Sequence, residues 1–141
     1  MIDFGSGPGT SVWAAARCWP AIKRYILVEP SDAMIEVSTQ LLEGFPVERR
    51  RFLFQGRQDP VDLVVASYSL SELTDPNVQR AHLRALWNAL NPGGILVILE
   101  PGTPVGFKIV RAARSLILDL KSEDESVNPV VVGPVCPTVI V

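Results

Sequence analysis

The sequence predicts an α/β fold, doubly wound, from three observations. Short apolar runs alternate with helical stretches along most of the chain. These runs lack the apolar–polar alternation of strands with one wet face, so they fit a parallel sheet covered on both sides. A glycine-rich turn, Gly5 to Gly9, joins the first run to the first helix, where doubly wound sheets hold their ligands. With 141 residues, 48% hydrophobic and 20% charged, the chain is long and apolar enough for one domain with a core. That composition excludes a disordered polar chain.

Each element follows from local chemistry. Met1 to Phe4 reads as a strand running into the glycine turn. Thr10 or Ser11 can cap the helix Val12 to Trp19, which Pro20 stops. Tyr25 to Glu29 is a buried strand ending in a carboxylate. Pro30, Ser31 and Asp32 open a helix to Glu43, with Met34, Ile35, Val37, Leu41 and Leu42 as its apolar stripe and Gly44 as its stop. Arg51 to Phe54 is expected as a third strand, Gly56 to Pro60 as a loop and Val61 to Ala66 as a fourth strand. Asp75, Pro76 and Asn77 open a helix carrying Ala81, Leu83, Ala85, Leu86, Trp87 and Leu90. Asn91-Pro92-Gly93-Gly94 reads as a turn, and Ile95 to Leu99 as the fifth strand. Gly106 to Leu120 is an amphipathic helix with Lys108, Arg111, Ser115 and Asp119 on its polar stripe. The expected division is a core over 1–121 and an irregular tail over 122–141, rich in valine and proline.

Charge and cysteine content narrow the function classes. Thirteen Lys and Arg against fifteen Asp and Glu give a formal charge of −2. Nucleic-acid binding by bulk electrostatics is therefore not expected, and any such contact is either local or made by parts outside this sequence. Cys18 and Cys136 cannot build a disulfide framework, which favours a reducing compartment. Lys108, Arg111, Arg114 and Asp119 interrupt the apolar stretch from Val105 to Leu120, so no membrane span is expected. Asp3 follows Met1 and Ile2 at once, which leaves no transit-peptide signature.

The most informative segment is Asp3-Phe4-Gly5-Ser6-Gly7-Pro8-Gly9. Glycine is required where the chain turns sharply or a ligand meets backbone. The helix that follows presents free N–H groups. Glu29 ends the second strand, where an acid can accept hydrogen bonds from ribose hydroxyls. A nucleoside-cofactor site is weighed here against a plain strand-to-helix turn. A dinucleotide fingerprint expects Gly or Ala where Thr10 stands, and a P-loop needs a Gly-Lys-Ser/Thr that is absent.

The spacing Asp-x-Gly-x-Gly-x-Gly resembles motif I of class I S-adenosylmethionine-dependent methyltransferases. That resemblance implies a Rossmann-like sheet of order 3-2-1-4-5. It implies that Asp3, Gly5, Ser6, Gly7 and Gly9 surround the methionine moiety, that Glu29 holds the ribose, and that Pro30, Met34 and Ser67 complete the cofactor site. Longer strings narrow it: Asp62-Leu63-Val64-Val65-Ala66-Ser67-Tyr68-Ser69-Leu70-Ser71-Glu72-Leu73 and Leu99-Glu100-Pro101-Gly102-Thr103-Pro104. With Leu27-Val28-Glu29-Pro30-Ser31, they resemble the methyltransferase-like family of the mitochondrial small ribosomal subunit, which has bacterial members. This implies association with small-subunit rRNA or ribosomal proteins during ribosome assembly. It implies an rRNA methyltransferase activity, and a mitochondrial matrix location (bacterial cytoplasm in a prokaryote). The same family carries a cysteine-rich region associated with a metal or iron–sulfur centre, whose start Pro134-Val135-Cys136-Pro137 resembles. Two cysteines fall short of the four ligands of a cluster, so none is expected here and Cys136 is at most a remnant ligand. The family pattern also implies more sheet than this sequence contains. Truncation at both ends and an incomplete carboxyl-terminal edge are therefore expected.

No side chain stands out as catalytic. Ser67, Tyr68, Ser69 and Glu72 are candidates by position after the fourth strand. The Asp/Asn-Pro-Pro-aromatic string of exocyclic-amine methylation is absent, and no cysteine stands at the fourth strand. His82 reads as a solvated helix residue rather than a base. Glu48-Arg49-Arg50-Arg51 reads as a solvated strand entry rather than a phosphate contact. Trp13, Trp19 and Trp87 read as packing residues, and Cys18 as a small buried one. Lys108, Arg111 and Arg114 fit either a solvent stripe or a contact with RNA or an acidic partner. Three functions compete: an rRNA methyltransferase, a non-catalytic assembly factor on the same fold, and a nicotinamide dehydrogenase.

Overall fold

The computed structural model describes residues 1–53, 59–123 and 128–133. The elements run β1 (Ile2–Phe4), α1 (Thr10–Cys18), β2 (Tyr25–Val28), α2 (Asp32–Leu41), β3 (Val47–Arg50) and β4 (Val61–Ser67). A 3₁₀ turn (Leu70–Glu72) follows, then α3 (Pro76–Asn88), β5 (Leu90–Leu99) and α4 (Pro104–Glu123). All strand pairs are parallel, in the order β3-β2-β1-β4-β5. The class and strand order match the sequence expectation. The chain returns to the centre between β3 and β4, so the carboxyl ends of β1 and β4 flank the topological switch point.

Both sheet faces are covered because each central strand is apolar on both sides. Ile2, Phe4, Ile26, Val28, Val64 and Ala66 pack with Leu83 and Leu86 of α3 and Ala113 and Leu116 of α4. Tyr25, Leu27, Leu63 and Val65 pack on the other face with Val12 and Ala15 of α1 and with Leu42. Asp3 lies in register between Leu27 and Val65, so its carboxylate is set among the apolar residues under α1.

Five expectations are corrected. The third strand is Val47–Arg50 rather than Arg51 to Phe54. Its charged residues are tolerated because it is an edge strand whose ions pair. Glu48 bonds both Arg24 and Arg50, and Arg49 donates to the hydroxyl and carbonyl of Ser38. Phe54 lies outside the described residues. The α1 N-cap is Gly9 in left-handed geometry, with no side-chain cap, because the Ser11 hydroxyl donates to Asp3 instead. Of the expected α2 stripe, Leu42 is buried and Ile35 half-buried, but Met34, Val37 and Leu41 are exposed, and Ser38 is turned to the sheet beside Leu42, its hydroxyl donating to the Ile35 carbonyl. Asn91 to Gly94 is an insertion inside β5 rather than a turn before it. Val61 pairs with Leu90 and Leu63 with Ile95, so five steps of β5 oppose two of β4. The Asn91 amide bridges the bulge to Asp62. Cys18 is exposed on α1 rather than buried.

The α4 stripe is as expected, with Lys108, Arg111, Ser115 and Asp119 exposed. No helix among the described residues is long and apolar enough to cross a membrane.

Candidate functional site at the carboxyl edge of the sheet

The glycine turn sits at the carboxyl end of β1. Gly5, Gly7 and Gly9 have φ of 64°, 51° and 84°, a region that L side chains adopt only with strain. The turn is fixed from below: the Gly5 and Ser6 amides both donate to the Val28 carbonyl, and Gly9 donates to Ser6. Two of the glycines are also sterically required. A Cβ on Gly5 would overlap the Ser69 Cβ, and one on Gly9 would stand 2.5 Å from Leu42 Cδ1. Gly7 differs, since nothing lies within 4 Å of where its Cβ would be. Open space lies beside its Cα, while its amide is engaged by Glu29.

Glu29 closes one side of the turn. Its Oε2 accepts from the Gly7 amide at 2.8 Å, and its Oε1 accepts from the Ser31 amide at 2.9 Å. Ser31 caps α2, its hydroxyl accepting from the Met34 amide at 3.4 Å. Each carboxylate oxygen has a lone pair left over after one amide bond, so the group can still take hydroxyl donors. Pro30 and Met34 follow, both exposed, with Met34 on the first turn of α2.

Asp3 lies beneath the turn, buried, accepting from the Ser11 hydroxyl. Burial raises its pKa to about 6; the Ser11 bond opposes this and the charge of Glu29 adds to it.

The carboxyl ends of β4 and β5 form the other side. Ser67 is half-buried at the end of β4. Tyr68 has φ of 57° and an exposed side chain, its amide held by the Leu99 carbonyl. Ser69 is buried against Gly5. Glu100 reaches across from β5, and its Oε1 accepts from the Leu70 and Ser71 amides at 2.9 and 3.2 Å. Glu72 is exposed.

Three buried side-chain atoms at this edge have no hydrogen-bond partner: Ser6 Oγ, Ser69 Oγ and Glu100 Oε2. Unsatisfied buried polar atoms are rare and call for a ligand or water. The described residues thus join Asp3, Ser6, Gly5, Gly7, Gly9, Glu29 and Ser69 in one constellation, with Pro30, Met34 and Ser67 on its margin.

Glu100 is the residue that sequence reasoning missed. A signal for it existed, because Glu-Pro ends β2 at Glu29 and ends β5 again at Glu100. In both places the carboxylate accepts two backbone amides from the adjoining loop. His82 is half-buried rather than solvated. Its ring lies 5.2 Å from that of Phe4, and its Nδ1 meets the Val78 carbonyl. Cys136 lies outside the described residues, which hold no cluster of three metal-ligating side chains.

Comparison with known proteins agrees with this architecture. Residues 1–141 match the family described as mitochondrial small ribosomal subunit Rsm22. The chain is 34% identical over 133 residues to ribosome assembly protein METTL17, mitochondrial, of Homo sapiens, covering 87% of this chain and 29% of that protein. It is 31% identical over 150 residues to Rsm22-cox11 tandem protein 2, mitochondrial, of Schizosaccharomyces pombe, covering 97% of this chain and 20% of that one. It thus spans less than a third of either relative. Among solved structures, the S-adenosylmethionine-bound amino pentose methyltransferase CalS10 of Micromonospora echinaspora superposes with a TM-score of 0.62 at 23% identity, over 75% of this chain and 44% of that one. At that identity the likeness shows the fold alone, a Rossmann-like methyltransferase sheet. The chain belongs to the Rsm22 family of the mitochondrial small ribosomal subunit.

Proposed function

We propose that the chain is an S-adenosylmethionine-binding, methyltransferase-like core that acts on or with small-subunit rRNA in ribosome assembly in the mitochondrial matrix. The supporting observation is the open space beside the Gly7 Cα, with its amide bonded to Glu29 and the unpartnered Ser6 and Ser69 hydroxyls as neighbours. Those groups fit a zwitterionic nucleoside: free hydroxyls for its polar end and a carboxylate for its ribose. Gly5, Ser6, Gly7 and Gly9 would hold the methionine end, Glu29 the ribose, and Pro30, Met34 and Ser67 the remainder, with Asp3 supporting the turn from beneath. When bound, the cofactor supplies an electrophilic methyl group. The residues at the ends of β4 and β5 then orient an acceptor in line with it and exclude water. In this reading the core over 1–121 would carry the site.

The second reading is an assembly factor that binds cofactor without transferring methyl. The buried Asp3 is bonded to Ser11 beneath the turn, and because methyl transfer depends on positioning more than on a base, its placement is compatible with both readings. Calorimetry with S-adenosylmethionine and S-adenosylhomocysteine tests the shared claim, and absence of heat at millimolar ligand sinks it. Transfer of tritiated methyl to small-subunit rRNA separates the two readings, since binding without transfer favours the assembly factor.

A further inference from the structure

We infer that the amino-terminal half of α4 is a binding face for single-stranded RNA, with Phe107 as the base-stacking platform and Lys108 and Arg111 as the backbone contacts. The inference rests on the rRNA reading above and names the surface that would carry it. Phe107 is 56% exposed, unusual for a ring so close to a core. The Arg111 guanidinium lies 5.8 Å from its centroid, one turn further along α4. Two open surface depressions lie along this stretch of α4. One, of about 570 Å³, lies between the Glu100–Pro104 loop and the Phe107 and Val110 side of α4. The other, of about 250 Å³, is lined by Lys108, Arg111, Ala112 and Ser115.

The first groove is walled largely by carbon: two prolines, Phe107 and Val110. Its floor is backbone, because a Cβ on Gly106 would overlap the Pro101 carbonyl oxygen. It opens at the carboxyl end of β5, beside Glu100 and therefore beside the candidate cofactor site. The second groove is cationic. A flat apolar slot next to a two-cation rim matches one nucleotide, base in the slot and phosphate on the rim. An acidic peptide would satisfy the cations and leave the slot and its aromatic wall unused. The local placement also answers the charge arithmetic: a chain of net charge −2 can grip a polyanion only where its cations are gathered.

The test is fluorescence anisotropy of the 141-residue chain with a labelled oligoadenylate about ten nucleotides long, within the usual span of single-strand sites. The Phe107→Ala variant is expected to weaken binding about ten-fold, and Phe107→Trp to retain it. The Lys108→Ala/Arg111→Ala variant is expected to lower the slope of log affinity against log salt by about 1.4. An Arg17→Ala/Lys23→Ala variant, matched in charge and outside this face, should keep the wild-type slope. Circular dichroism confirms that each variant is folded, and the exposed ring makes Phe107→Ala safe in that respect. The inference is overturned if the wild type binds no oligoadenylate, if Phe107→Ala binds as tightly as wild type, or if polyglutamate competes as well as RNA does. Cofactor calorimetry is read separately, so a chain that binds S-adenosylmethionine without RNA fails this inference alone.

Discussion

The Gly7 amide donates to Glu29 Oε2 at 2.8 Å, which ties the open apex of the glycine turn to the end of β2. The second oxygen of the same carboxylate holds Ser31, the cap of α2. One side chain therefore sets the turn, the strand end and the next helix in a single geometry. A group that fixes the backbone a ligand would touch adds to binding beyond its own contact with that ligand, because it lowers the ordering cost.

Glu29→Ala should accordingly cost more affinity than a lost ribose contact alone. Removing a charged acceptor from two amides costs about 1–3 kcal/mol of stability. Affinity for S-adenosylmethionine should fall at least ten-fold. Urea unfolding and calorimetry on the same preparation measure both. A stability loss with unchanged affinity would confine Glu29 to a structural role.

The three glycines should separate by what lies beside them. Gly7→Ala has open space and meets only the left-handed backbone cost, about 1–2 kcal/mol. Gly5→Ala adds a clash with the buried Ser69 and should destabilise more. Gly9→Ala meets the movable ends of Leu42 and Leu27 and should fall between them. Gly7→Ala should nevertheless lose the most affinity per unit of lost stability, because its Cβ fills the space left for a ligand. Denaturation midpoints and cofactor titrations of the three variants give the ranking.

Asp3 makes stability pH-dependent in a stated direction. Its pKa rises from 3.8 in the unfolded chain to about 6 in the fold. Between these values the native state holds the proton more tightly than the unfolded state does. The stabilisation from the protonated form is complete below pH 3.8 and is lost as pH rises through about 6. The full swing is on the order of 3 kcal/mol. Asp3→Asn cannot titrate and preserves the shape, so its stability relative to wild type should grow over that window and level off above it. Chemical denaturation of both proteins from pH 4 to 8 shows whether the difference follows this course.

Glu100→Ala should free the Leu70 and Ser71 amides, which the carboxylate now holds. Hydrogen exchange at those two positions should speed up, while exchange in β1 and β4 stays slow. Unchanged protection at Leu70 and Ser71 would mean that the 3₁₀ turn is held by other contacts.

Much of this architecture was legible because central parallel strands must be apolar on both faces. β1, β2 and β4 carry that requirement openly, and the glycine spacing and the acid at a strand end, Glu29, mark the site beside them. The misread parts are those where one residue has two uses. Ser11 looked like a helix cap, but its hydroxyl is drawn to the buried Asp3. Arg51 to Phe54 is the more apolar stretch, but edge strand β3 is built from Glu48, Arg49 and Arg50 because these are paired. The α2 stripe is only partly apolar, because Ser38 shares the buried side with Leu42 and its hydroxyl is satisfied within its own helix. Glu100 escaped notice because its partners lie about thirty residues away in sequence and are backbone amides, which no residue type advertises.

In the proposed function a cofactor sits over Gly7, between Glu29 and Ser69. Amide chemical shifts of the isotopically labelled chain, titrated with S-adenosylmethionine, test that placement most directly. The expected result is saturable movement of the Gly7, Ser31 and Ser69 amides, with α4 from Lys108 onward unmoved. Shifts absent at millimolar cofactor, or confined to residues away from the glycine turn, would contradict it.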